Sequence, residues 1–495
     1  MNLKKIRIIV FALLFVALIS AIIYSGTDSN NNGGKKDENP HPVAVKPVKK
    51  DYSQVLKTAT DMAAMYDYDG AIDFIRENAE DYERDEKLAG FVAECNANRQ
   101  KLVKWPDNSK ITHVFFHSLI ENTDVVFSSR SADDYNCVMT TIDEFNRIIT
   151  QMYERGYVLV RLSDIADFDK TSGKMSYKPI YLPEGKIPFV LSQDDLSYYE
   201  YMKKDGGFAN RLIVTDDGKI MNEKDNPDGS VTTGIFDVVP ILDEFVEKHP
   251  DFSYHGAKGI VALTGYNGVL GYRTSYICYG TSADIATVSH SLFETGGYDA
   301  ALAKKLAKEA HAYDNMELLE DRMKARKVAK AMKENGWEFA NHTWGHMGMD
   351  SVVDRNTGEV KSERFYRDLV WWDVEVMPIV GKVDTIIFAY GADIFNWHPY
   401  TDNNQAFTYL KSKGYNYFCN VDSSRYFVQI NENAGGNGYL RQGRRNLDGQ
   451  LMFRSLLYPD LKLTEDLFDV KSIFDKRRPL PVKGVELPEK YSENF

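Results

Sequence analysis

The stretch "FVLSQDDLSYY", residues 189–199, is an apolar run that ends abruptly in two adjacent carboxylates, Asp194 and Asp195. On an extended segment adjacent side chains point to opposite faces, so an isolated Asp–Asp pair reads as one turn cap and one solvated group. Asp133–Asp134 and Asp216–Asp217 are read that way, and the second carries the Asp-Gly signature of a hairpin turn between short strands. A second stretch changes the reading of the first. "HTWGH" places His342 and His346 four residues apart, on one face if the segment coils, so both imidazoles can reach one ion. A His-x-x-x-His pattern alone is weak. Joined to a carboxylate pair at another strand end, it supplies one Asp and two His, the ligand set of a hydrolytic zinc centre with an open position for water.

The elements that must position these groups alternate regularly. Strands are expected over residues 113–120, 157–162, 187–192, 259–264, 337–342, 385–391 and 415–422. Between them lie helical patterns. The first, "TTIDEFNRIITQMYERG", has a Thr141-x-x-Glu144 capping box, apolar residues at Phe145, Ile148, Ile149 and Met152, and Gly156 as a stop. Such alternation with buried-type strands predicts an α/β protein built on a parallel sheet or (β/α) barrel, with its chemistry at the carboxyl ends of the strands. Asp194, Asp195 and His342 sit at such ends.

With these residues in place, the chain resembles the polysaccharide deacetylases of carbohydrate esterase family 4, the NodB-homology domain. "FVLSQDD" is similar to the first motif of that family and "NHTWGH" to its second, and the resemblance covers about residues 111–461. It implies a distorted (β/α) barrel in which Asp195, His342 and His346 hold Zn2+ or another divalent transition metal. Asp194 is implied to be the base that takes a proton from the attacking water. The third motif appears as "IFAYG": Tyr390 and Gly391 match, but Ile387 stands where the family has the arginine that orients the base. The Tyr390 backbone N–H retains an oxyanion-stabilising role, which needs no particular side chain. The fourth motif is at best Asp422. At the fifth, "YLRQGRRNLDG", Gln442 replaces the acid histidine, and Arg441, Arg444 and Arg445 are read either as contacts for a charged substrate or as partners of surface acids. His398 in "NWHPY" is the named stand-in acid, with His113 and His117 from the first strand as others. The loop "GYNGVLGYR", in the long insertion between Asp194 and His342, is expected to wall the cleft.

The chain has 495 residues, 43% hydrophobic and 27% charged, with a formal net charge of −12, which argues against nucleic-acid binding. At the amino terminus Lys4, Lys5 and Arg7 precede an apolar run over residues 8–24, close to the ~20 residues that span a bilayer. It is read as an uncleaved signal anchor, with the bulk of the chain outside the cell membrane. The expected organisation is an anchor over residues 1–25, a flexible linker over 26–50, a helical, tetratricopeptide-like module over 51–104 that docks a protein partner or serves as a stalk, the deacetylase-like domain over 110–475, and a carboxyl-terminal tail over 476–495. The four cysteines have no zinc-knuckle spacing. The expected activity is hydrolytic, metal-dependent deacetylation of an N-acetylated cell-wall or surface polysaccharide, cleaving a non-peptide carbon–nitrogen bond. Two rivals stand beside it: a carbohydrate-binding pseudoenzyme on the same fold, and a metal-free glycosidase with paired carboxylates.

Overall fold

Short runs of apolar residues become parallel strands: β1 (Thr112–Phe116), β2 (Ile187–Asp194), β3 (Ile260–Leu263), β4 (Glu338–Asn341), β5 (Thr385–Ile387), β6 (Tyr417–Val421) and β7 (Tyr439–Asn446). Each pairs with the next in sequence, and β7 returns to β1 through Arg445↔Val114, so the sheet closes into a parallel barrel. The computed structural model describes residues 50–275, 315–422, 424–432 and 436–487. The expected span over residues 8–24 and Cys278 lie outside them, and among the described residues no helix is long and apolar enough to cross a membrane.

The barrel is irregular at β2. Its first half pairs with an extra strand, Tyr157–Leu159, and its second half with β3, as Ser192↔Ile260 and Asp194↔Ala262. Both faces of the strands are covered, as parallel sheets require. Outward residues such as Val114, Phe116, Leu191, Val261 and Phe418 form the main core, while Val190, Ala262, Ala340, Ile387, Cys419 and Leu440 belong to a second cluster.

Helices α1 (Ser53–Ala64), α2 (Tyr68–Asn78) and α3 (Glu86–Arg99) form the amino-terminal module, closed over Ala59, Ala71, Ile72, Ile75, Leu88 and Cys95. The Tyr66 hydroxyl donates to Asp251 O (2.8 Å) and the His255 N–H to Met65 O (2.9 Å), fastening the module to the barrel. Helix α4 (Ile142–Glu154) carries the expected capping box: Glu144 N–H donates to Thr141 Oγ1 (3.2 Å) and Thr141 N–H to Glu144 Oε2 (2.9 Å). Gly156, with φ +85, then turns the chain into the strand; a Cβ there would meet Gly185 O at 2.8 Å. Thr141→Ala is expected to lower unfolding stability by about 1–2 kcal/mol, the loss of one helix cap, measured by urea denaturation.

Residues 476–487, part of the expected carboxyl-terminal tail, pack onto the domain. Arg478 is fully buried and grips Glu144 with two hydrogen bonds (2.7 and 2.6 Å), and it also donates to Met139 O (2.7 Å). The side chain of Glu144 therefore serves the cap and the ion pair together. The Asp217–Gly218 hairpin forms as expected, joining strands Arg211–Val214 and Ile220–Asp225.

Candidate active site

Because all the barrel strands run one way, their carboxyl ends share one mouth. β2 ends at Asp194, and Asp195 turns away with φ +60, donating its N–H to Ala262 O (3.1 Å). This left-handed turn overrides the opposed orientation expected of neighbouring strand residues. Both carboxylates consequently face His342, whose Nε2 lies 3.9 Å from Asp194 Oδ2 and 4.0 Å from Asp195 Oδ1. His346 Nε2 lies 3.4 Å from Asp195 Oδ2. Thr343, His346 and Tyr390 also have positive φ (61, 49 and 55). Such conformations are costly for residues with a Cβ and persist where the surroundings impose them, typically at functional sites.

Donor atoms of Asp195, His342 and His346 all lie within 4.8 Å of one another. Donors around tetrahedral zinc stand about 3.4 Å apart, given bonds of about 2.0–2.1 Å, so one edge is already at that spacing and the others need to close by about 1 Å. The surrounding bonds suit a metal site. His342 Nδ1–H donates to Ile387 O (2.7 Å), which leaves Nε2 as the ring atom that could coordinate an ion. The Tyr199 hydroxyl donates to Asp195 Oδ1 (2.6 Å). Asp368, from α5 (Arg364–Glu375), accepts the backbone N–H groups of Trp344 (2.7 Å) and Gly345 (2.8 Å) and so shapes the loop that presents His346. Burial, opposed by Asp195, lowers the basicity of His346 and favours the neutral imidazole a metal requires. Burial also opposes ionisation of Asp195, but His346 and His342 outweigh it and lower its pKa. The donor set and its outer bonds fit a divalent transition metal such as zinc.

Asp194 has a guanidinium partner from the last barrel strand. Arg444 on β7 donates to both oxygens of Asp194, NH1 to Oδ1 at 2.7 Å and NH2 to Oδ2 at 2.9 Å, in a fork that fixes the carboxylate plane. Burial resists ionisation of Asp194, yet the Arg444 guanidinium, aided by His342, outweighs it and lowers the carboxyl to about 2. Behind this pair a chain of hydrogen bonds crosses the barrel. Arg444 NH1 donates to Ser192 Oγ (3.1 Å), Ser192 Oγ meets His113 Nε2 (2.9 Å), and His113 Nδ1 meets Gln442 Oε1 (3.1 Å). Burial first, and Arg444 second, hold His113 well below its usual pKa, so it is neutral. Gln442 Nε2 ends the chain on Ile111 O (2.8 Å).

The other expected residues fall as follows. Tyr390 sits at the mouth, 75% exposed, its ring 4.4 Å from that of His346. His398 is exposed on the loop after β5, its ring against Phe395 (5.5 Å) and its carbonyl held by Arg441 NH1 (2.9 Å), so nothing aims it at the carboxylates. Arg441 and Arg444, expected to contact substrate, are corrected. Both are buried, Arg441 bound to Asp393 beneath Tyr400 and Arg444 to Asp194, because a guanidinium inside a barrel needs a carboxylate. Asp422 bonds Ser424 N–H (3.1 Å) next to β6. The Gly265 loop docks onto the loop that carries His342 and His346, with Gly265 and Tyr266 N–H groups donating to Trp344 O (2.9 and 3.0 Å). It lines the mouth with stacked rings, Tyr199 lying 5.4 Å from Tyr266 and 5.3 Å from Tyr201. Tyr199 and Asp368 were missed by sequence reasoning; Tyr199 stood within reach, four residues past Asp195, whereas Asp368 carried no signal.

No protein-family model matches this chain, and no curated protein matches it. A solved structure that matches is Streptococcus pyogenes deacetylase PplD in complex with acetate, at 11% identity and a TM-score of 0.31, covering 70% of this chain and 96% of that one. That degree of similarity assigns neither activity nor residue roles to this chain.

Proposed function

We propose that this protein is a metal-dependent hydrolase that removes acetyl groups from an N-acetylated cell-wall or surface polysaccharide. The observation that carries the reading is the joint placement, at one barrel mouth, of the Asp195–His342–His346 donor set and an Asp194 carboxylate forked by Arg444. Asp195, His342 and His346 would hold a divalent ion, which would supply Lewis acidity and lower the pKa of water at the site towards neutrality. Asp194 takes the proton of the attacking water; its low pKa keeps it ionised at every working pH, and Arg444 fixes which oxygen faces the water. The Tyr390 backbone N–H stabilises the developing oxyanion. The exposed rings of Tyr201 and Tyr390 offer apolar faces on which a pyranose stacks. The anchor over residues 1–25 would keep the domain at the outer membrane face near such a polymer, and the helical module would dock a protein partner.

The test is acetate release from N-acetylated chitooligosaccharides by zinc-loaded protein. Release is expected to stop on chelation and to return with zinc, and release that survives complete metal removal would sink the reading. His346→Ala is expected to weaken zinc binding by more than about 100-fold, since loss of an outer-sphere partner alone costs about 10–100-fold. Elemental analysis after dialysis checks it, and a variant that keeps as much zinc as the parent shows the ligand set to be wrong.

A further inference from the structure

The reaction proposed above needs a proton for the leaving amine, and its source has to be found among the histidines at the mouth. Gln442, at the place of the expected acid, is buried and tied at both ends to His113 and Ile111. His113 is neutral and sealed inside the barrel, and His398 is committed to a surface loop. Among the described residues one further histidine stands at the mouth. His113, Phe115 and His117 alternate along β1 and its extension and so share a face. That this face is the barrel interior is fixed at two levels: His113 bonds Ser192 and Gln442, and Phe115 lies under the Arg444 guanidinium at 4.1 Å. His117 is the next position outward, at the mouth. The register Phe116↔Gln193 sets it beside Asp194 across the β1–β2 pair.

We propose that His117, on a strand the metal ligands do not share, is the proton donor to the leaving nitrogen. Its Nδ1–H donates to Val138 O (3.1 Å), which fixes the ring and turns Nε2 to the other side. It is partly exposed, outside the Asp195–His342–His346 donor set, and near enough for its charge to act on Asp194, Asp195 and His346. The Phe115 ring lies edge-on to it at 5.8 Å. In the step, the water oxygen bonds to the acetyl carbon while its proton passes to Asp194. The C–N bond breaks with its electron pair on nitrogen, and the imidazolium Nε2 proton of His117 goes to that nitrogen. The products are acetic acid and a free amine, and the proton on Asp194 returns to His117 through solvent.

This inference rests on the hydrolase reading, and the experiment separates the two. Zinc-loaded parent, His117→Asn and His117→Gln are assayed on N-acetylated chitopentaose, whose amine leaves only when protonated, and on 4-nitrophenyl acetate, whose phenolate leaves unaided. The amide rate is expected to fall ~10²–10⁴-fold in both variants, the span of a general acid. The ester rate and the zinc content per chain should stay close to the parent values. Equal loss on both substrates, or an unchanged amide rate, overturns the acid assignment alone. A parent inactive on both substrates overturns the hydrolase reading and this inference with it. The Asn amide can still donate to Val138 O, and thermal unfolding checks that both variants are folded.

Discussion

Asp194→Asn is expected to lower acetate release ~10²–10⁴-fold, the contribution of a general base, while zinc stays bound. On the proposed reading the metal would be held by the neighbouring Asp195 and by His342 and His346, so the substitution would remove the proton acceptor without touching a ligand. It also strips Arg444 of its carboxylate in a site where Asp194 is 2% exposed and Arg444 1%. The variant should therefore be less stable as well as slower, and the two losses are separable. Adding Arg444→Met removes the stranded charge, and replacing both members of a buried pair is often near neutral. Stability should then recover in the double variant while activity does not. Zinc content, unfolding midpoints and acetate release on the single and double variants make the measurement. A single variant that retains full activity would remove Asp194 from the reaction.

Arg444→Met alone is expected to be the more damaging to the fold, by about 3–5 kcal/mol, because it leaves the Asp194 carboxylate buried without its partner. The effect has a pH signature. In the parent, the Asp194 carboxyl sits at about 2, below the usual carboxylate range. A depressed carboxylate pKa adds stability that is present above the unfolded-state value of about 4 and is lost as pH falls towards 2, here about 2–3 kcal/mol. In the variant, burial is opposed only by His342 and His117, so the pKa rises and ionisation at neutral pH adds less to stability than in the parent. The stability gap between the two proteins should be full at pH 7 and narrow below pH 4. Urea unfolding across that range gives the answer, and a gap independent of pH would place the cost elsewhere than in the pair. Arg444→Met should also slow catalysis, since the fork that sets the orientation of Asp194 is gone.

The Ile387 position illustrates how the site departs from linear expectation. The side chain there is an isoleucine of the barrel interior, and its carbonyl instead orients His342. The guanidinium that meets Asp194 comes from far along the chain, 250 residues away. The resemblance put an arginine where Ile387 stands, whereas the fork on the carboxylate comes from β7, because what the carboxylate requires is a positive group at bonding distance, whichever strand supplies it. β7 itself was unreadable as a strand. "YLRQGRRN" lacks the apolar run that marks buried strands, as its Gln442 and Arg444 are paid for by His113, Ser192 and Asp194 on β1 and β2.

What the sequence determined by itself was local. The capping box at Thr141 and Glu144, the helical faces of the amino-terminal module, the strands that stop at Asp194 and Asn341, and the four-residue spacing of His342 and His346 all follow from periodicity and termination signals within a few residues. The tertiary structure decided which polar groups meet. It turned Asp195 onto the same side as Asp194, delivered Arg444 to the base, buried Arg441 against Asp393, drew Arg478 into the cap of α4, and left His117 at the mouth. The reason is energetic: a charge taken out of water must find a partner, and in a closed barrel the partners lie on neighbouring strands whose adjacency no local pattern encodes.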